Sequence, residues 1–217
     1  YMAPGTLYKV LSGYNVLTTE VTTGGTYIPR MEGTSVTPYQ LTGGTIELAG
    51  SGSHAFQTLR ADDNLYNYVN VKFSGSNTLG TDYKNLSQQT TIDSLLTVTE
   101  NAIVDCKTTG GSAASFVGNG GLKMDGGRLR IKKFNDKNPE LKGFNNPYTL
   151  TGGVVEFYGT GNINQQQIRG KDTLDRIISY YNMEINADAA NYSTSSGLDK
   201  AGNVDLTSSF YLKNVMN

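Results

Sequence analysis

Residues 38–65, PYQLTGGTIELAGSGSHAFQTLRADDNL, return without a gap as residues 147–174, PYTLTGGVVEFYGTGNINQQQIRGKDTL, 109 positions later. Thirteen of the 28 aligned positions are identical, among them Pro38/Pro147, Leu41/Leu150, Gly43/Gly152, Gly44/Gly153, Glu47/Glu156, Arg60/Arg169 and Asp63/Asp172. So many residue types held in one register mark a duplicated structural unit and not a shared bias toward glycine. The match resumes at an offset of 112, where Tyr68-Val69-Asn70-Val71-Lys72-Phe73 aligns with Tyr180-Tyr181-Asn182-Met183-Glu184-Ile185. Three residues are therefore inserted around Asp175, Arg176 and Ile177, as befits a turn. The repeat divides the chain into the end of a preceding unit (1–37), a first unit (38–146) and an incomplete second unit (147–217).

Smaller echoes, Thr23-Gly24-Gly25-Thr26-Tyr27-Ile28 and Asp125-Gly126-Gly127-Arg128-Leu129-Arg130-Ile131, lie inside the long period. Short alternating or β-branched runs at residues 45–48, 66–73, 95–98, 129–131, 154–158 and 178–185 read as strands between Gly/Asn/Asp/Ser turns. Only residues 172–178 have the pattern of a helical turn. A unit assembled from smaller similar turns predicts stacked coils, an all-β, right-handed parallel β-helix. The alternative is a row of tandem β-sandwiches, whose domains have about 100 residues. Alternation predicts Ile46, Leu48, Val155 and Phe157 inside, with Thr45, Glu47, Val154 and Glu156 outside. In the later strand it predicts Val69, Val71, Phe73, Tyr181, Met183 and Ile185 inside. Tyr68, Asn70, Lys72, Tyr180, Asn182 and Glu184 then face solvent, where water tolerates the exchange of Lys72 for Glu184.

Charge excludes one class of partner, because 17% charged residues, a net charge of -1 and no basic run are not the footprint of a nucleic-acid binder. One cysteine, Cys106, rules out an internal disulfide, and its apolar context reads as a buried small hydrophobe. No segment has the ~20 apolar residues of a membrane helix. The opening Tyr1-Met2-Ala3-Pro4 shows no signal-peptide pattern, as expected of a segment from within a longer chain.

The polar residues point to structure before chemistry. Clustered carboxylates in a β-helix suggest a polysaccharide lyase or hydrolase, with Arg60, Asp62, Asp63, Arg169, Asp172, Asp175 and Arg176 as the candidates. Arg60/Arg169 and Asp63/Asp172, however, recur in both units, which suits ion pairs or backbone caps better than an active site. His54 aligns with Ile163, so the repeat dispenses with an imidazole there. Residues 135–140 and 198–205 are acidic, but they lack the ligand spacing of a calcium loop and read as solvated turns. The fourteen tyrosines are explained by strand propensity and stacking between coils before sugar binding. No catalytic, metal or cofactor residue is assigned, and the binding residues are left open.

The phrase Leu-Thr-Gly-Gly-x-(Ile/Val)-Glu-(Leu/Phe)-x-Gly-(Ser/Thr)-Gly, followed by Tyr-(Val/Tyr)-Asn-(Val/Met)-x-(Phe/Ile), resembles a repeat of very large surface proteins of Bacteroidota, including adhesins of the gliding-motility type. The matching residues are 41–52 with 68–73, and 150–161 with 180–185. The resemblance implies a non-catalytic stalk or adhesin segment, displayed at the outer cell surface and exported by type IX secretion. Its implied partners are the secretion or gliding machinery and an external surface or glycan. The resemblance implies no catalytic residue and no cofactor.

Overall fold

The computed structural model describes residues 5, 7–10, 26–27, 42–52, 57–59, 67–78, 83–86, 89–106, 116–133, 148–159, 166–168, 176–187, 204–206 and 211–212. Among these there are sixteen strands and no α-helix. They are β1 (Leu7–Val10), β2 (Thr26–Tyr27), β3 (Thr45–Leu48), β4 (Gln57–Leu59), β5 (Asn67–Phe73), β6 (Lys84–Leu86), β7 (Thr90–Val98) and β8 (Ile103–Cys106). The others are β9 (Phe116–Val117), β10 (Gly121–Lys133), β11 (Tyr148–Gly159), β12 (Gln166–Ile168), β13 (Ser179–Tyr180), β14 (Met183–Ala187), β15 (Val204–Leu206) and β16 (Tyr211–Leu212). Every pairing between them is parallel. The chain is thus a β-solenoid, and the tandem sandwich, which requires antiparallel neighbours, is excluded.

The pairings sort the strands into walls. The first wall stacks β1, β3, the end of β5, the end of β7 and the beginnings of β10 and β11. Thr45 pairs with Asn70, Asn70 with Leu95, Leu95 with Gly121, and Leu122 with Tyr148, so one circuit takes 25 or 26 residues. The second wall stacks β2, β4, β6, β8, the later halves of β10 and β11, and β14. The beginnings of β5 and β7 with β9 form the third.

Each wall turns one row of side chains inward. Ile46, Leu48, Val71, Phe73, Leu96, Val98, Leu122 and Met124 of the first wall meet Leu59, Leu86, Val104, Cys106, Leu129, Ile131, Val155 and Phe157 of the second in one buried cluster. Phe116 of the third wall meets Phe73 edge-on, with ring centres 6.3 Å apart. The expected burial of Ile46, Leu48, Val71, Phe73, Val155 and Phe157 is therefore found. Met183 is half-buried against the same cluster, and the side chain of Ile185 lies outside the described residues.

The Gly-Gly pair occupies a corner. β10 and β11 cross from the first wall to the second at Gly126-Gly127 and Gly152-Gly153. Gly127 has φ 69, and a Cβ there would stand 2.6 Å from the Ala102 carbonyl of the preceding coil. Only glycine allows both the left-handed turn and that approach.

The two units keep local geometry but not position. Asn70 Nδ2 donates to the Gly44 carbonyl at 2.8 Å, and its equivalent Asn182 Nδ2 donates to Gly153 at 3.1 Å. Yet Thr45–Leu48 lies on the first wall, while its equivalent, residues 154–157, lies on the second.

Three facing expectations are corrected. Tyr68 and Tyr180, expected outside, are buried, whereas Val69 and Tyr181, expected inside, are only half-buried. A register shift between Tyr68 and Asn70 breaks the alternation where the third wall passes into the first, and a bend at Tyr181-Asn182 separates β13 from β14. Glu47 and Glu156 are also buried, although they point away from the core. The expected helical turn falls largely outside the described residues, and within it Arg176, Ile177 and Ile178 are not helical.

Candidate functional site

The buried glutamates lead to the densest polar arrangement among the described residues, on the outer side of the second wall. Asn85, Asp105, Arg130, Glu156 and Glu184 follow one another in register across β6, β8, β10, β11 and β14. Arg130 lies between two carboxylates. Its Nη1 is 3.1 Å from Asp105 Oδ2, its Nε is 2.8 Å from Glu156 Oε2, and its Nη2 donates to Glu156 Oε1 at 3.2 Å. The guanidinium also lies over the rings of Tyr158, at 4.1 Å, and Tyr83, at 4.7 Å. The Tyr158 hydroxyl donates a hydrogen bond to Asp105 Oδ1.

Arg128, one step along β10, holds the next link. Its Nη1 is 3.1 Å from Glu156 Oε2 and 2.6 Å from Glu184 Oε2. Two glutamates directly opposite in register would repel, and a shared arginine from the preceding coil removes that repulsion. The first unit reaches the same end differently. Glu47 is opposite Lys72 in register, their charges are 3.1 Å apart, and Ser74 Oγ donates to Glu47 Oε1 at 2.6 Å. The exchange of Lys72 for Glu184 is thus balanced by Arg128, not by water.

The electrostatics follow from this geometry. Burial alone would raise the Glu156 carboxyl, but hydrogen bonds and charge from Arg130 and Arg128 outweigh it and leave the carboxyl below its ordinary range. Burial likewise opposes the charge on Arg130 and Arg128, and their carboxylate partners more than restore it. Burial, and then Asp105, push the Tyr158 phenol up. The carboxylates of Asp105 and Glu156 are committed to arginine, so the ladder ties coil to coil and offers neither as a free base. Further along the row, Thr58 Oγ1 and Asn85 Oδ1 are buried without a hydrogen-bond partner.

The residues singled out from sequence fare differently. Arg60, Asp62, Asp63, Arg169, Asp172, Asp175, His54 and residues 135–140 lie outside the described residues, as does most of 198–205. Arg176 is exposed on the outer surface. Cys106 is buried in the core, where burial pushes its thiol up and leaves no thiolate to react. The ladder itself escaped sequence reasoning. Its legible signal was Arg-x-Arg at 128 and 130, one 26-residue circuit before Glu156. Comparison with protein-family models, curated proteins and solved structures finds no match to this chain. No helix of the described residues is long and apolar enough to cross a membrane, and no group of three or more His, Cys, Asp or Glu among them is placed to hold a metal ion.

Proposed function

We propose that this chain is a non-catalytic segment of a long extracellular stalk or adhesin, carried at the cell surface and attached through it to an external surface or glycan. The observation that carries the reading is the use of polar side chains to fasten successive coils. Asn70 and Asn182 hold the equivalent glycine carbonyls, and the outward carboxylates Glu47 and Glu156 are both spent on cations of adjacent coils. A solenoid also suits a stalk because each coil contacts only its neighbours, so length grows by adding coils. The resemblance to gliding-motility adhesins extends the proposal to export by type IX secretion. The test is labelling of intact producing cells with antibody against residues 1–217, together with incubation of the purified chain on pectin, alginate and chondroitin. Surface labelling without turnover is expected. Labelling only after permeabilisation overturns the surface reading, and turnover abolished by Asp63→Ala or Asp172→Ala replaces the stalk with a polysaccharide-active enzyme.

A further inference from the structure

Two polar side chains point into the core where the row alternation calls for apolar ones. Gln57 and Lys84 are register partners on β4 and β6, and Lys84 in turn pairs with core-facing Val104. Both are 0% exposed. Lys84 Nζ donates to the Gly50 carbonyl at 2.9 Å, while the Gly50 N–H donates to Gln57 Oε1 at 2.8 Å. The amine and the carboxamide of two successive coils therefore end on the two polar atoms of one residue.

The surroundings favour a reaction between them. Burial lowers the Lys84 amine to about 8, with Glu100 the charge that opposes the shift, so an appreciable fraction is unprotonated near neutrality. The Gly50 N–H is a fixed donor on the carbonyl oxygen at which negative charge develops when an amine adds. Glu100 is an exposed residue of the corner turn, and its Oε2 accepts from the Gly75 N–H at 3.0 Å. It is the only non-glycine residue with positive φ among the described residues, at 56°. A left-handed backbone is unfavourable at any residue with a Cβ, and such outliers gather at functional positions.

We propose that Gln57 and Lys84 join spontaneously in an amide cross-link between successive coils, with Glu100 carrying the proton. Lys84 Nζ adds to Gln57 Cδ. The Nζ–Cδ bond forms, the Cδ–Nε2 bond breaks, and the proton lost by Nζ passes through Glu100 to Nε2, which leaves as ammonia. No oxidant, reductant or cofactor is consumed. Attack on an unactivated carboxamide is slow in water, and anchoring both groups on the one residue Gly50 raises their concentration relative to each other. The proposal does not depend on the surface-stalk reading, since the bond lies within one chain.

Intact mass measurement of the folded chain, residues 1–217, tests it directly. The expected mass is lower than that of the sequence by one ammonia, with a protease-resistant peptide pair joined at Gln57 and Lys84. Lys84→Arg and Gln57→Leu, each checked for a native far-UV spectrum, are expected at their full sequence mass. Glu100→Gln is expected to slow bond formation by about 10²-fold or more, the usual contribution of a positioned acid–base group. An unshifted mass in the folded wild-type chain, or an ammonia loss that maps to an asparagine elsewhere, overturns the cross-link. Formation at the wild-type rate in Glu100→Gln overturns the role given to Glu100.

Discussion

Arg130 shows how much one side chain can hold when it stands between coils. Its partners Asp105 and Glu156 have side chains only 0% and 2% exposed, so Arg130→Leu takes the guanidinium from both and leaves Asp105 with the Tyr158 hydroxyl and Glu156 with Arg128 alone. Chemical denaturation is expected to show a loss of about 3–5 kcal/mol for this variant. The triple variant Asp105→Asn, Arg130→Leu, Glu156→Gln removes the whole set of charges and is expected to lose less than the single one; a larger loss contradicts the account. Acid acts on the same residues. Because the folded Glu156 carboxyl lies below its unfolded value, the unfolded chain takes up its proton first. The stability this group contributes is therefore complete above the ordinary carboxylate range and is lost as pH falls through the folded value. Melting temperature followed downward from pH 6 is expected to fall, and Glu156→Gln to flatten part of that fall. Thr58→Val removes one buried hydroxyl without a partner and is expected to be neutral or stabilising by ~1 kcal/mol.

At the scale of single strands and corners, glycines separate by what their neighbours allow. Gly52 has φ 57 and nothing within 4 Å of a Cβ, whereas Gly127 has φ 69 and the Ala102 carbonyl in the way. Gly52→Ala is expected to cost about 1 kcal/mol, from the left-handed backbone alone, and Gly127→Ala clearly more, at least ~3 kcal/mol, as measured by thermal melting. Equal shifts would show that the corner is looser than the geometry indicates. The same elements show how far the sequence could be read. Parallel stacking was legible because Gly-Gly-strand recurs inside the long period, and inward Ile46, Leu48, Val155 and Phe157 were legible from alternation. Tyr68 and Tyr180 were not, because a register shift or a bend resets a period-two pattern and neither leaves a composition signal. Glu47 and Glu156 were placed on the right side of the strand but in the wrong medium. Alternation gives direction, while burial of an outward side chain depends on the coils above and below.

For the molecule as a whole, the 25-residue step from Thr45 to Asn70 and from Asn70 to Leu95 means that residues 70–94 form one complete circuit. Excising them joins Val69 to Leu95 and lets β3 meet the end of β7 in the register that β5 now occupies. The shortened chain is expected to keep a strand-type far-UV spectrum and a cooperative melt at lower temperature, as a nearest-neighbour array does. Collapse to an unfolded spectrum would show that these coils are not interchangeable. The repeat and the circuit, however, do not have the same length. Four circuits bring the chain from Thr45 back to the first wall just before Tyr148, whereas the sequence repeat does not arrive until Val154, beyond the next corner. The Gly-Gly strand of the second unit therefore sits one wall further round than that of the first, and what it displays is turned to a new compass direction. A long run of such units would carry its outward features as a spiral staircase carries its treads, facing every side of the column in turn.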